Sequence, residues 1–421
     1  MSREPLFTDL LGIQGWGVVS GGIRIEADGS VTVRISRCRA GYRCGQCGAG
    51  LLFSYDRQGV RRIRDFPIWG RRCYLEVEMV RVDCPRCGVV IEGLDWVERY
   101  ARQTIRYEKY VARLCDLLPV SDVADWEGLG KDAVYRIDKK WLQRREAKRE
   151  ARPVRYLGID EIALRKGHRY ATVFYDLERR EVIGLVQRRR ERAVGGFFRR
   201  LGRKRCRAIE AVCMDLWQPY LNSVRRHCKN AVVVFDKFHV YTYLSEAIEE
   251  VRRHEQQICS EEEGKLIKGT RWLWLRASRN LKRKHKQTLE QIMAINRRLQ
   301  TAYLLKEDFE DFYACATRED AESFLAGWIA RCRQSRLEPF IKLAKRLVRW
   351  SHGIFSFFDY RITNGVAEGI NNKIKVLKRR SYGFHDDHYF FLKILNATGA
   401  LPALDQLTDP HFWRKSRLSC A

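Results

Sequence analysis

The chain has 421 residues, of which 80 are lysine or arginine and 52 aspartate or glutamate, giving a formal net charge of +28. Its 45 % hydrophobic content suits a chain with more than one core and excludes default disorder. Positive charge of this size, spread along the whole chain, suits a polyphosphate ligand whose counterions are released on binding, although a merely soluble basic surface is the competing reading and charge alone says nothing of specificity or catalysis.

No apolar run approaches membrane-spanning length, and the string MSREPLFTDLLG lacks a signal-peptide layout. An intracellular, cytoplasmic location on the nucleoid follows as the expectation. The 14 cysteines then read as reduced thiols or metal ligands rather than as a disulfide framework.

In chain order, Cys44 and Cys47 in RCGQCG and Cys84 and Cys87 in DCPRCG form two C-x-x-C pairs, each followed at once by glycine. Four thiolates are what a tetrahedral structural zinc requires, and the glycines permit the tight turns that aim backbone amides at sulfur. A redox role fits one such pair, not two. Between the pairs, RRIRDFPIWG turns at Pro67 and Gly70 and CYLEVEMVRV alternates like a strand, which predicts a zinc-held β-hairpin. Cys38 and Cys73 read as ordinary buried thiols.

From Thr104 the period becomes helical, with Tyr107, Tyr110, Val111, Leu114, Leu117 and Leu118 at spacings of three and four, until Pro119. Ser121 is placed to cap a short helix, SDVADWEG, and a long basic helix, KDAVYRIDKKWLQRREAKRE, follows the break at Gly128. These are helix-turn-helix proportions. Lys131, Asp132, Tyr135, Arg136 and Lys139 are the candidates to touch DNA in the major groove, with Val134, Ile137 and Trp141 packing inward. The competing reading is a helical hairpin that links two domains. Pro153 marks the start of the next domain.

VRYLGIDEIALRKG reads as a strand ending in Asp160 and Glu161, and YATVFYDLERREVIGLVQ as a hairpin around Arg179. Then come a helix (AVGGFFRRLG), a strand ending on Asp215, a second helix (PYLNSVRRHC) and a strand, AVVVFDKFHV, carrying Asp236 and His239. This is the ribonuclease H-like order of elements. Farther on, TNGVAEGINNKIKVLKRR predicts an amphipathic helix with Val366, Ile370, Ile374 and Leu377 on one face and Asn364, Glu368, Asn372, Lys375 and Arg379 opposite, the last three facing DNA.

Asp160, Asp215 and Glu368 together offer the hard oxygen ligands that phosphodiester chemistry needs to hold two magnesium (or manganese) ions. Each has a duller reading alone. Aspartates at strand ends often only cap the next helix, and Glu368 fits an exposed ion-paired face with Lys375.

The paired zinc knuckles, the helix-turn-helix and the strings GIDEIALRKGHRY, MDLWQPY, FDKFHV and NGVAEGINNKIKVLKRRSYGF resemble transposases of the ISL-three insertion-sequence family, over nearly the whole chain. The resemblance implies a three-acid (DDE) core on a ribonuclease H-like fold, interrupted by a helical insertion. It also implies binding to the element's terminal inverted repeats in double-stranded DNA, and movement by hydrolysis and strand transfer into target DNA. Asp160 matches the first acid and Glu368 the last. Asp215 is the preferred second acid, while Asp236 in DKFH resembles the C/D-x-x-H signature of several transposase superfamilies. Asp236 and His239 then support the site from a neighbouring strand or contact the scissile strand, or His239 is a core residue. A homodimer or higher oligomer is expected, because two ends must be joined.

The expected architecture is multidomain α+β: a zinc-binding β module (1–95), a helix-turn-helix (96–152), a catalytic α/β core in two parts (153–240 and 352–400), an all-helical insertion (241–351) and a tail (401–421). In the insertion, Trp272 and Trp274 are either core residues or stacking platforms, and two residues apart on a helix they face different ways. Two other functions fit the sequence: a DNA-binding regulator with an inert core, and a nuclease for branched DNA.

Overall fold

The computed structural model describes residues 4–38, 41–165 and 169–407. Residues 166–168 of the GIDEIALRKGHRY string, and 408–421 of the tail, lie outside them. The chain divides into two units, residues 1–150 with 377–421, and residues 151–376. Each is mixed α and β.

The first unit opens on a five-stranded sheet. Strands β1 (Trp16–Ile25), β2 (Val31–Arg37), β3 (Asp56–Ile68) and β4 (Arg71–Cys84) lie in the order β1-β2-β4-β3, and β5 (Gly88–Ile91) also pairs with β4. The hairpin β3–β4 occupies the stretch between the two cysteine pairs and turns over Trp69 and Gly70. Along β4 the alternation of the sequence becomes alternation of burial. Cys73, Leu75, Val77 and Met79 enter a core with Val31, Val33, Ile35, Trp16 and Trp96.

Three helices follow: α1 (Ile105–Leu117), α2 (Val120–Glu127) and α3 (Lys131–Ala147). Thr104, not a residue inside the period, caps α1 by accepting the Tyr107 amide. Pro119, rather than Ser121, occupies the cap position of α2, so Ser121 falls in its first turn. The fixed φ of proline suits a helix start and explains the shift. Val134, Ile137 and Trp141 are buried with Tyr107, Val111, Cys115 and Val123, which makes the three helices one packed unit.

The second unit is built on another five-stranded sheet. Its strands are β6 (Tyr156–Arg165), β7 (Arg169–Asp176), β8 (Glu181–Gln187), β9 (Ala211–Met214) and β10 (Val232–Phe235), in the order β8-β7-β6-β9-β10. The first three form an antiparallel meander, and β6, β9 and β10 run parallel. Helices α4 (Glu191–Leu201) and α5 (Gln218–His227) supply the crossovers.

Helix α6 (Lys237–Ile258) follows β10 at once. The strand stops at Phe235, so Asp236 holds the helix cap position and His239 lies in the first turn of α6, not on a strand. A helical segment runs from there to α7 (Glu338–Tyr360), and its buried residues belong to the same core as the sheet. Helices α6 and α7 run across the boundaries at 241 and 351 expected from the sequence. Trp274 is fully buried and Trp272 exposed, as their spacing on a helix requires.

Helix α8 (Gly365–Arg380) carries the glutamate-bearing sequence. The last helix, α9 (Asp387–Ala397), belongs to the first unit, although the sequence had assigned residues 352–400 together to a catalytic domain. Lys393 explains the difference. Its buried amine reaches the Asp138 carboxylate at 3.0 Å and the Cys115 carbonyl at 2.6 Å, which ties α9 to α3 and α1. Among the described residues no helix is long and apolar enough to cross a membrane.

Candidate metal centres and DNA-reading helix

Cys44, Cys47, Cys84 and Cys87 converge so that their sulfurs lie within 4.8 Å of one another. The Cys47 and Cys84 sulfurs are 3.6 Å apart, close to the ~3.8 Å edge of a tetrahedron of sulfurs bound to zinc at ~2.3 Å. Gly48 and Gly88, which follow the two pairs, have φ of 74° and 68°, a conformation that any side chain would strain. The Gln46 amide points at the Cys44 sulfur at 3.4 Å. Amides from Cys47 and then Gln46 pull the Cys44 thiol down to about 6, against burial. A four-cysteine cluster of this geometry fits zinc. Cys38 is exposed, against the expectation of a buried thiol, while Cys73 is buried, and neither joins the cluster.

The second group forms where the parallel pairing of β6 with β9 runs out; β6 itself continues to Arg165, so Asp160 and Glu161 lie within the strand, not at its end as the sequence predicts, because the antiparallel partner β7 carries the pairing on. Ala211 pairs with Tyr156 and Cys213 with Gly158, so the same register carried two residues on sets Asp215 beside Asp160. Met214 pairs with Phe235, which sets Asp236 beside Asp215. Oxygens of Asp160 and Asp215 and a ring nitrogen of His239 lie within 4.8 Å of one another, and Asp236 is not in the group.

Burial first, and then the charge of Asp215, pushes the Asp160 carboxyl up to about 6. Contact with the Asp215 carboxylate raises His239 above the usual imidazole range. His239 Nε2 is 2.7 Å from Asp215 Oδ1, yet no hydrogen bond of normal geometry joins them, and that buried oxygen is left without a donor. Asp236 is 4 % exposed, receives the Asn364 amide at 3.4 Å, and is raised by burial.

Glu368 is exposed on α8 and stands outside this group. A residue just before its helix and one within it nevertheless reach the strand of Asp160. Asn364 donates to the Ile159 carbonyl at 3.1 Å, and Asn371 donates to Asp160 Oδ2 at 2.8 Å. Four residues after one and three before the other, Glu368 shares their side of the helix. Asn371 in turn accepts from the buried Tyr175 hydroxyl at 2.6 Å. The sequence reading passed over Asn371 and Tyr175. The helical sector count that selected Glu368 also covers Asn371, but nothing in the sequence pairs it with Asp160. Asn372, Lys375 and Arg379 are exposed.

On α3, Lys131, Asp132 and Arg136 are exposed. Tyr135 and Lys139 are instead both hydrogen-bonded to Asp386, whose other oxygen caps α9 by accepting the Tyr389 amide at 3.0 Å.

A helix-turn-helix on one unit, and carboxylates paired across adjacent parallel strands on the other, define a DNA-binding protein with an acid centre. Residues 157–394 match the model of a transposase family, and residues 92–142 match the helix-turn-helix domain of transposase family ISL3. The chain is 33 % identical to the transposase for insertion sequence element IS1001 of Bordetella parapertussis, over 94 % of its own length and 98 % of that protein. It is 27 % identical to the transposase for IS1557 of Mycobacterium tuberculosis, over 96 % and 98 %. The chain belongs to the ISL3 family of insertion-sequence transposases, and its function is DNA transposition.

Proposed function

We propose that the protein binds the terminal inverted repeats of its insertion sequence and cuts and joins DNA with Asp160, Asp215 and Glu368, on a ribonuclease H-like sheet. The observation that carries this reading is the register that sets Asp160 beside Asp215, with His239 closing a three-donor group.

The residues fit a divalent cation. Two crowded carboxylates, one with a buried oxygen lacking any donor, favour positive charge between them. Carboxylates suit magnesium or manganese, and the imidazole favours manganese. When bound, a pair of such ions supplies Lewis-acid activation of the attacking hydroxyl and stabilises the leaving oxygen. Asp160 and Asp215 hold the charge, Asn371 fixes the orientation of Asp160, and His239 stands beside Asp215 as a third donor. Glu368 approaches from α8 to complete the set as DNA binds. Asp236, buried against the Asn364 amide, supports the joint between β10 and α8 rather than holding metal.

Zinc on the four cysteines is structural, since all four positions are taken by protein sulfur. Lys131, Asp132 and Arg136 are the DNA-reading set on α3. Tyr135 and Lys139 join it only on release from Asp386, and Asn372, Lys375 and Arg379 contact phosphates. Assembly on DNA is as a dimer or larger, in the nucleoid.

The test is cleavage of labelled duplex carrying the element's ends, in magnesium, by the parent, Asp215→Ala and Asp236→Ala. Loss in the first variant and retention in the second is expected. No cleavage by folded, end-bound parent would favour a DNA-binding regulator, and cutting of branched DNA regardless of end sequence, without joined product, a nuclease.

A further inference from the structure

We infer that Arg189 and Trp217 form a nucleotide-gripping subsite at the rim of the acid centre, where an unpaired base of the cut strand stacks on the indole and a neighbouring phosphate meets the guanidinium. The inference rests on the transposase reading and adds to it a subsite that takes unpaired DNA.

Both side chains are tied to the acids by short connections. Glu161 directly follows Asp160, and its carboxylate receives Arg189 Nη1 at 3.0 Å. Trp217 follows Asp215 by two residues, and its amide donates to the Asp215 carbonyl at 2.7 Å, a tight turn that keeps the ring at the end of the same strand. The Arg189 guanidinium lies 4.5 Å from the centre of the Trp217 ring.

Arg189 is oriented from beneath by a chain of buried groups. Glu161 accepts the Tyr220 hydroxyl at 2.7 Å, and that hydroxyl is 3.0 Å from Thr172 Oγ1, with Tyr220 and Thr172 fully buried. The preceding residue, Arg188, holds φ of 71°, and its amide is bound to the Tyr170 carbonyl at 2.9 Å. A bulky residue in that conformation is strained and persists where the surroundings impose it. Here it turns the chain out of β8 so that Arg189 leaves toward Trp217.

Trp217 has no structural task that its position explains. It occupies the cap position of α5 and makes no capping hydrogen bond, where serine, threonine or aspartate would. It remains 37 % exposed, although Arg189 lies against it. Arg188, Arg190 and Arg192, near Arg189 along the chain, are exposed as well. Exposed indole among arginines, next to acids that favour a phosphodiester bridged by cations, has the composition of a single-strand grip. Paired bases hide their faces inside the duplex, so only a base unstacked near the cleavage point can use the ring.

The experiment uses the full chain with calcium in place of the catalytic ion and measures fluorescence anisotropy. One DNA carries the element's end, and a second is identical except for an abasic site at the nucleotide next to the scissile phosphate. The parent is expected to prefer the intact end. Trp217→Ala should weaken binding of the intact end roughly tenfold and bind both DNAs alike, with Trp217→Phe retaining the preference. Arg189→Gln should lower the slope of log affinity against log salt by about one. Binding by Trp217→Ala and Arg189→Gln that matches the parent on both DNAs, while the parent cuts ends, overturns the subsite and leaves the transposase reading intact. Failure of the folded parent to bind element ends overturns both. If Trp217→Ala does not fold, the surface change Arg189→Gln and the Phe variant decide: an unchanged salt slope together with no preference for the intact end in Trp217→Phe overturns the subsite.

Discussion

The two metal-type centres differ in ways that follow from their chemistry. The cysteine cluster is closed. Its four sulfurs come from two knuckles, each at the turn of its own short hairpin (42–51 and 84–88), so every position around a tetrahedral ion is filled by protein. The acid centre is open, with three donors drawn from β6, the end of β9 and the first turn of α6, and a fourth candidate, Glu368, exposed on α8. A closed centre stabilises a fold, whereas an open one leaves room for substrate oxygen. The comparison also separates two kinds of support: backbone amides at glycine turns around sulfur, and a side-chain relay, Tyr175 to Asn371 to Asp160, around the acids.

The largest expected effect breaks the closed centre. Structural zinc of this kind carries roughly 10 kcal/mol of apparent binding free energy that is also folding free energy. Cys84→Ala should therefore lose zinc, measured by metal analysis, together with the thermal transition of the β module. A folded protein with no zinc from zinc-replete medium would show that the four thiols are not a metal site.

Next comes the open centre. Asp215→Ala should lower end cleavage by at least about a hundredfold while leaving the melting temperature close to that of the parent, since no fold depends on that carboxylate. A large drop in melting temperature would assign Asp215 to the fold instead. Asn371→Ala tests the relay and should reduce manganese affinity or activity by roughly 10- to 100-fold, as loss of a residue that orients a ligand does. Titration of folded protein with manganese, read calorimetrically, separates the two, and equal affinity with equal activity would remove Asn371 from the site.

The smallest effect calibrates both centres against ordinary side-chain bonding. Burial raises Asp386, but hydrogen bonds from Lys139, Tyr135 and the Tyr389 amide outweigh it and hold the carboxyl below its usual range. A group depressed in the folded state stabilises fully above its unfolded value near 4, and that contribution fades as pH falls below it. Asp386→Asn should cost roughly 1–2 kcal/mol at pH 7, and less at pH 3. Melting curves at both values check the sign. The same variant should free Lys139, so tighter binding of nonspecific DNA is expected alongside the loss of stability.

Much of the candidate chemistry was legible because it is written locally. Two C-x-x-C pairs with following glycines specify a four-sulfur site wherever a hairpin brings them together, and the helical period from Thr104 to Trp141 specifies a helix-turn-helix packed through Val134, Ile137 and Trp141. The alternation of β4 likewise sorts its own core face. Asp215 and Asp236 were harder, because both follow short apolar strands with equal claim. Only the parallel register and the start of α6 set one carboxylate among the donors and the other beneath Asn364.

By itself, then, the sequence determined the alternation of β4, the three helices of the helix-turn-helix, the four thiols and the family, since period, spacing and turn chemistry act between near neighbours. Tertiary structure decided that α9 completes the helix-turn-helix through Lys393 and Asp138, that Asp386 occupies Tyr135 and Lys139, and that Asn371 serves Asp160. Each of these joins residues more than two hundred positions apart. Pairings at that separation depend on which buried charge finds a partner, and no local pattern records that choice.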